Sequence, residues 1–291
     1  MINRKLNIFC IAMLTTLGFS SCLDVVDVDL DEGVPQLAVD AFINNQENPE
    51  VVLTLTNQYF DSSESTFVSD ASVSISDGTT VYDLTFEDNA YRFNSPVVTA
   101  EGLDYKLMIE HDGNSYEALS TTQPVPPLLD DSILFEFEEA AFGIDSGYIA
   151  EIRAYDIFGR DDYYWIRYYR NDTLVNDPSN LILAKDAAFG GTGTDGFLFI
   201  TPIRTGINDF TRFYQLGENV KVEIWAIEED TWQFLSEVVE QSSIGGPLAI
   251  ISPPTYNLRS NITHVSGDAE LPAIGYFSAS MVSKNEAVVQ E

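Results

Sequence analysis

The residues before Cys22 are the strongest constraint on what this chain can become. Arg4 and Lys5 are followed by an apolar run, residues 6–19, and two serines separate that run from the cysteine. A basic head, an apolar stretch too short to span a bilayer comfortably and a small-residue site describe a secretory signal. The sequence therefore predicts that residues 1–21 direct export and are removed.

The cysteine at the cleavage site makes this a lipoprotein signal. Cleavage before Cys22 exposes a thiol that can carry a diacylglycerol and an amine that can carry a third acyl chain such as palmitate. Phe19 departs from the leucine usually found three residues before such a cysteine. The alternative is an ordinary signal peptide with a cysteine near its cut site. At about 0.8 kcal/mol per buried methylene, two or three acyl chains form a stable anchor.

Residues 22–34 form an acidic segment that includes Asp24, Asp27 and Asp29. One interpretation is a solvated tether, which at about 3.5 Å per residue reaches roughly 40 Å. The other is a sorting signal, because acidic residues just after a lipidated cysteine resemble the surface-export signal of lipoproteins from Bacteroidetes-type bacteria. The second interpretation predicts an outer-membrane lipoprotein that faces outward.

The charge of the chain excludes some partners. Its 291 residues include 14 Lys and Arg against 46 Asp and Glu, a formal net charge of -32, and loss of the signal makes this two units more negative. Duplex nucleic acid and anionic lipid headgroups would be repelled. Hydrophobic residues make up 45% of the chain and aromatic residues 12%, so the acidic composition does not indicate disorder.

Cysteine content and hydropathy limit how the processed chain can be attached to a membrane and how its fold can be stabilised. Cys10 leaves with the signal and Cys22 is acylated, so neither a thiol nor a disulfide would remain. Beyond the signal no apolar run approaches eighteen residues, which excludes a transmembrane helix. We therefore expect attachment through lipid and stability from core size alone.

The first half of the chain has the pattern of a β-sandwich. Apolar residues alternate with polar ones from residue 37 onward in short runs, and Asp77-Gly78 and Asp112-Gly113 separate them. Asp-Gly pairs supply the positive φ angles of tight hairpin turns. The three prolines in residues 124–127 cannot lie in a central strand and mark a boundary. The sequence predicts a mostly β fold of two antiparallel Ig-like β-sandwich domains, residues 35–125 and 126–291, with a continuous single barrel as the alternative.

The second half contains the clearest single elements. Residues 163–170 (YYWIRYYR) are apolar on both faces and predict a central, covered strand; the alternative is an exposed sugar or peptide groove. Residues 189–196 predict a glycine-rich surface loop. Further strands are predicted at 197–203, 220–227 and 274–281. One helix is predicted at residues 230–241, with Asp230 as N-cap and Trp232, Leu235, Val238 and Val239 on one face.

Several of these segments, in this order, resemble a known lipoprotein family. After the lipidated cysteine come residues 35–43 (PQLAVDAFI), 52–56 (VLTLT) and 102–107 (GLDYKL), then 163–168 (YYWIRY), the helix with Trp232, 257–263 and 275–279 (GYFSA). This order is similar to the Bacteroidetes outer-membrane lipoprotein family known as domain of unknown function 4249. The resemblance implies a place at the outer membrane beside a TonB-dependent receptor, and it implies no catalytic residue.

The sequence offers little catalytic chemistry. His111 and His264 are the two histidines, and neither has a second His or a Cys at metal-ligand spacing. No G-x-S-x-G elbow occurs. The acidic turn with Asp156, Asp161 and Asp162 can be interpreted as a calcium loop or as a solvated turn. We expect no enzyme activity, no cofactor and no metal site.

These observations lead to one expected function and one alternative. We expect a non-enzymatic accessory of a TonB-dependent transporter, which binds substrate or docks on the receptor. The alternative is a structural or adhesive cell-surface lipoprotein without a transported ligand. A hydrolase remains only an outlying interpretation, because it would need two carboxylates at a set separation across a cleft.

The anchor leads to a direct prediction. Cys22→Ala removes the acylated thiol, so the exported protein should move from the membrane fraction to the soluble fraction, as fractionation and detergent partition will show. Neutralising Asp24, Asp27 and Asp29 together should leave it in the membrane but reduce its cleavage by protease added to intact cells. Unchanged cleavage would contradict the sorting signal, and a membrane-bound Cys22→Ala protein would contradict the anchor.

Overall fold

The computed structural model describes residues 33–58, 61, 63–140, 143–189, 193–243, 256–267 and 271–290. The predicted signal peptide, Cys22 and the acidic residues Asp24, Asp27 and Asp29 lie outside the described residues. The middle of the glycine-rich loop also lies outside them, as does the glycine-proline segment after the helix. The anchor and the sorting signal therefore stay predictions.

Short strands with alternating burial form the first half of the chain. In β1, for example, Leu37, Val39 and Ala41 are buried and the residues between them are not, which is the period of a strand with one face on a core. The strands are β1 (Leu37–Asn44), β2 (Glu50–Leu55), β3 (Thr66–Phe67), β4 (Ser72–Ser76), β5 (Val81–Glu87), β6 (Ala90–Arg92), β7 (Asp104–His111) and β8 (Asn114–Thr121).

The second half adds longer strands and a helix. The strands are β9 (Ile133–Glu138), β10 (Gly147–Ile152), β11 (Tyr163–Arg170), β12 (Thr173–Val175), β13 (Ile182–Lys185), β14 (Asn219–Ile227), β15 (Thr263–Ser266) and β16 (Ile274–Val288). A 3₁₀ helix covers Pro178–Asn180, and the one α-helix among the described residues, α1, covers Glu229–Ser242. No helix in this part of the chain is long and apolar enough to cross a bilayer.

One large mixed sheet connects the two halves. Its order is β12-β11-β14-β16-β1-β2-β6-β5-β4-β7-β8-β15, with β13 beside β11 and β3 beside β2, and β9 and β10 form a separate pair. The pair β1–β16 is parallel, whereas the other ladders are antiparallel. The prediction of a mostly β fold is confirmed. Residues 34–291 form one compact unit, and the predicted division near residues 124–127 stays a prediction.

The buried residues form three clusters that share β16. The first lies mainly within the first half but also includes Phe277 and Ala279 of β16. The other two lie on opposite faces of β11 and β14, one under β9 and β10 and one under α1. Tyr276 and Val282 of β16 belong to the cluster under α1. A single strand thus contributes side chains to the cores of both halves.

The covered aromatic strand predicted at residues 163–170 is confirmed as β11. Tyr163, Tyr164, Trp165 and Ile166 are all buried, and β11 has neighbouring strands on both sides. The α-helix is also confirmed, with Trp232, Leu235, Val238 and Val239 on its packed face, and with Phe234 in addition. Its N-cap is Glu228 rather than Asp230, because the carbonyl of Glu228 already accepts from the amide of Trp232 at 2.9 Å.

The predicted strand at 197–203 is wrong. Leu198 makes only an isolated bridge with Tyr155, and a turn follows it. The backbone amides of Phe199 and Ile200 donate to different neighbours, Ala154 at 3.0 Å and Ala187 at 2.9 Å. Because the segment divides its hydrogen bonds between two loops, no ladder forms.

Gly275 gives a test of the parallel pair. Its φ is +98°, and a Cβ there would lie 1.9 Å from the carbonyl oxygen of Val39 in β1. Gly275→Ala should therefore lower the free energy of unfolding by more than about 2 kcal/mol, measured by chemical denaturation. Gly78→Ala is the matched control, because its φ is +81° but no atom lies within 4 Å of the added carbon. That change should cost only about 1 kcal/mol, and equal losses would contradict a close approach of β1 and β16.

Candidate functional site

Five of the exposed aromatic side chains in the described part of the second half lie on three neighbouring loops. They are Tyr155, Phe158, Phe189, Phe197 and Phe210, and Phe158 is 83% exposed. The three loops that carry them, residues 154–159, 186–189 and 193–212, are called the aromatic loops below. Exposed apolar rings that are grouped in this way are typical of interaction sites.

The aromatic loops are hydrogen-bonded to one another. The amide of Asp156 donates to the carbonyl of Phe197 at 2.9 Å, and the amide of Phe199 donates to the carbonyl of Ala154 at 3.0 Å. The amide of Ile200 donates to the carbonyl of Ala187 at 2.9 Å, which adds the remaining loop. The rings are therefore presented by a connected layer rather than by independent turns.

A buried carboxylate fixes this layer to the sheet. Asp156 is 5% exposed, and its Oδ1 accepts from the hydroxyl of Tyr164 in β11 at 2.7 Å. Its Oδ2 accepts from the amide of Gly196 at 2.9 Å. Burial raises the pKa of Asp156, and the two donors oppose that rise. Asp156 thus ties the end of the glycine-rich loop to the central strand.

The ring of Phe158 lies directly against Gly196. A Cβ at Gly196 would be 2.9 Å from Cδ2 of Phe158, so the absence of a side chain makes room for the ring. Nearby, the amide of Gly159 donates to Oδ1 of Asp195 at 2.8 Å. The most exposed aromatic side chain of the site is therefore held in place by backbone on one side.

A cleft of about 700 Å³ lies beside these loops, with Phe189 and Phe210 at its wall. Tyr168 of β11 also lines it. The remaining lining groups mix apolar and polar side chains: Val175, Asp177, Ser179, Asn180, Leu181, Ile182, Leu183, Pro202, Ile203, Gly206, Asn208, Asp209 and Val239. This volume and composition suit a small-molecule or peptide ligand.

Asn208 is the polar lining residue whose side chain is most firmly held. Its Oδ1 accepts from the amide of Ala150 in β10 at 2.7 Å, and its Nδ2 donates to the carbonyls of Ala150 and Thr205, each at 2.7 Å. These bonds fasten the floor of the cleft to β10, so the site has rigid support from two sheets.

The acidic turn of the sequence divides into buried and exposed residues. Asp161 is exposed, whereas Asp156 and Asp162 are buried. Oδ1 of Asp162 lies 2.6 Å from Nε of Arg160, and the amide of Asp162 donates to Oδ1 of Asp186 at 3.0 Å. Burial raises the pKa of Asp162 to about 6, although Arg160 opposes the shift.

The turn therefore contains two desolvated carboxylates, so the interpretation as a fully solvated turn is wrong. Within the described ranges no set of three or more His, Cys, Asp or Glu side chains is placed to hold a metal ion.

The two histidines lie at the same end of the sheet, on strands that flank β8. His111 and Asn114 close the β7–β8 hairpin, and Nε2 of His264 in β15 lies 3.2 Å from Oδ1 of Asn114. Nδ1 of His111 lies 3.5 Å from Oδ1 of Asp70. Sequence spacing gave no sign of this proximity, because β15 pairs with β8 from far along the chain. Neither histidine lines the cleft.

Only local signs of the aromatic loops are present in the sequence. Phe158 precedes a glycine, Phe189 begins the glycine-rich loop, and Phe210 follows an aspartate. An aromatic residue within such turn-forming neighbours is a candidate for an exposed ring. Burial alone distinguishes these residues from the aromatic residues of β11, and burial depends on the tertiary fold.

The raised pKa of Asp162 leads to a pH-dependent prediction. An unfolded Asp titrates near pH 4, so the folded carboxyl retains a proton between pH about 4 and 6 that the unfolded chain releases. Its contribution to stability is therefore fully present below pH about 4 and is lost as the pH rises through 6. The difference in free energy of unfolding between Asp162→Asn and the natural chain should shift in favour of the variant by up to about 3 kcal/mol between pH 4 and 7.5. Chemical denaturation at a series of pH values measures this difference.

Asp161→Asn serves as the control, because it removes the same charge from the exposed neighbouring position. Its stability relative to the natural chain should change much less with pH, since exposed charges contribute little. Parallel profiles for Asp162→Asn and the natural chain would show that burial does not perturb Asp162.

Comparison with known proteins supports a family but no activity. A search of curated proteins finds no match. A protein-family model described as Domain of unknown function (DUF4249) matches residues 24–286, which include every strand described above except the last residues of β16. The match covers most of the chain, and the chain belongs to this family of unknown function.

Proposed function

We propose that the chain is a non-enzymatic lipoprotein of a Bacteroidetes outer membrane, anchored through Cys22 and facing outward. In this proposal it is an accessory of a TonB-dependent transporter, and it binds the transported ligand or docks on the receptor. The observation that carries the proposal is the group of exposed aromatic rings on loops that the sheet holds in place, of which Phe189 and Phe210 line the cleft.

The first support is energetic. Covering one large apolar side chain is worth about 1.5–3 kcal/mol, and aromatic residues often dominate the affinity of an interface. Phe158 and Phe197 are exposed on adjoining loops, so a bound partner can cover both rings. A solubility role alone would favour charged side chains at these positions.

The second support is preorganisation. Association loses free energy when loops must be ordered on binding. Here Asp156 holds the loop around Gly196, and Gly196 in turn supports the ring of Phe158. The described parts of the aromatic loops therefore start in an ordered arrangement, which reduces that loss.

The location rests on sequence alone. The basic head, the short apolar run and Cys22 support a lipid anchor, and Asp24, Asp27 and Asp29 support export to the surface. An anchored domain meets other envelope proteins at high effective concentration.

We also propose that the two halves are Ig-like sandwich domains that meet at residues 124–127. The support is the division of the buried residues, because the first cluster belongs mainly to the first half and the other two belong mainly to the second.

Purification from the native membrane tests the function. The lipidated protein should co-purify in mild detergent with a β-barrel receptor encoded nearby. The double variant Phe158→Ser/Phe197→Ser should recover at least about tenfold less receptor, because truncation of each anchoring ring typically costs more than 1 kcal/mol.

The control is Phe67→Ser/Leu119→Ser, which removes two exposed apolar side chains from β3 and β8 in the other half. It should recover the receptor as the natural protein does. Recovery of the natural protein alone, or with envelope polymers, would contradict the accessory role and favour the structural or adhesive alternative.

A further inference from the structure

A second cavity lies where the connector between the halves meets the start of α1. Its volume is about 300 Å³, and it shares no lining residue with the cleft of the aromatic loops. The lining residues are Gln123, Arg160, Asp161, Asp162, Tyr163, Ile227, Glu228, Glu229 and Asp230. Five of them are carboxylates and one is a cation, so the cavity is strongly acidic.

The single cation does not neutralise this cavity, because the protein already holds it. Nη2 of Arg160 donates to Oε1 of Gln123 at 2.9 Å, and Nε of Arg160 lies 2.6 Å from Oδ1 of Asp162. Arg160 therefore compensates one carboxylate oxygen and is fixed at the connector. Lys185, which does not line the cavity, interacts electrostatically with Asp161 and Glu229 from outside. The charge of Glu228 and Asp230 is left facing the cavity.

Asp162 is the residue that points to a ligand. It is 2% exposed, yet its Oδ2 accepts no hydrogen bond from any described residue. A buried carboxylate oxygen ordinarily has a donor, because leaving it unpaired costs free energy. A donor that binds in the cavity would supply the missing hydrogen bond.

Glu228 is a second desolvated carboxylate of the same cavity. Its Oε2 accepts from the hydroxyl of Ser120 in β8 at 2.6 Å, and burial raises its pKa. Glu228 is also the N-cap of α1, so its position is fixed by the helix. The cavity thus has anchored carboxylates on two separate elements, the turn before β11 and the start of α1.

The spread of these carboxylates does not suit a metal ion. Calcium needs six to eight oxygen ligands at 2.3–2.6 Å, and the described residues contain no group of three carboxylate or imidazole side chains placed to share one. A larger cation, which reaches separated carboxylates with several N–H donors, suits the arrangement better.

We infer that this cavity binds an organic cation, a guanidinium or alkylammonium group on a short carbon chain. A guanidinium offers five donors in a planar fork that matches carboxylate oxygens. One such group can donate to Oδ2 of Asp162 and, through its chain, place a second cationic end near Glu228. The source is either a free small molecule or a basic side chain of another protein.

This binding does not depend on the aromatic loops or on the lipid anchor. Failure of the cavity to bind a cation would not contradict the accessory role. Loss of receptor recovery by Phe158→Ser/Phe197→Ser would not contradict cation binding in this cavity. The two proposals can therefore fail separately.

Titration calorimetry of the folded chain tests the inference with two probes. Agmatine carries a guanidinium and an ammonium on four carbons and represents a free ligand, and N-acetyl-Gly-Arg-Gly-amide represents a side chain. We expect at least one probe to bind with a Kd of about 1 mM or tighter at low salt. Tighter binding of agmatine identifies a free cation, and tighter binding of the peptide identifies a protein partner.

The variants separate the cavity from the general negative charge. Asp162→Asn/Glu228→Gln should weaken binding at least tenfold, whereas Asp83→Asn/Glu87→Gln, which removes two charges from exposed positions on β5, should not. If the first variant does not fold, Asp161→Asn/Asp230→Asn removes two exposed lining charges instead, with the same expected loss. Equal weakening by the β5 variant, or failure of both probes to saturate, would overturn the inference.

Discussion

The rest of the structure depends on the parallel contact between β1 and β16. β1 belongs to the first half and β16 to the second, and their backbones approach so closely at Val39 and Gly275 that no side chain fits between them. On its other edge β16 pairs with β14, which pairs with β11. Through these three ladders the support of the aromatic loops is continuous with the sheet of the first half.

Buried negative charge is the second constraint, and it is an unusual means of holding loops. Asp156 and Asp162 lose hydration on folding, and the structure offsets that cost with donors from β11, from Gly196 and from Arg160. Such interactions are directional, unlike apolar contacts. They therefore specify one arrangement of the turn and its neighbours, where hydrophobic packing alone would allow several.

Much of the fold could be predicted from local pattern. The alternation in β1 and β7, the Asp112-Gly113 turn and the aromatic strand β11 are determined by periodicity and by positive φ angles, which neighbouring residues encode. The parallel β1–β16 pair and the irregular course of 197–203 could not be predicted in this way, because each depends on which distant backbone groups accept hydrogen bonds. The candidate site could not be predicted for the same reason. The sequence shows many aromatic and acidic residues, but only tertiary packing determines that Tyr164 is buried, that Phe158 is exposed and that Asp162 is desolvated.

The pairing of Val39 with Gly275 also has a consequence for the order of folding. A strand near residue 39 cannot acquire this neighbour until the chain has been made beyond residue 275, so the central ladder has a high contact order and closes late. Domains with such non-local pairings fold slowly. A polypeptide that an export machinery must thread through a membrane has to remain unfolded until it has crossed. For the export that we propose, the late closure of this sheet would contribute to that delay through topology.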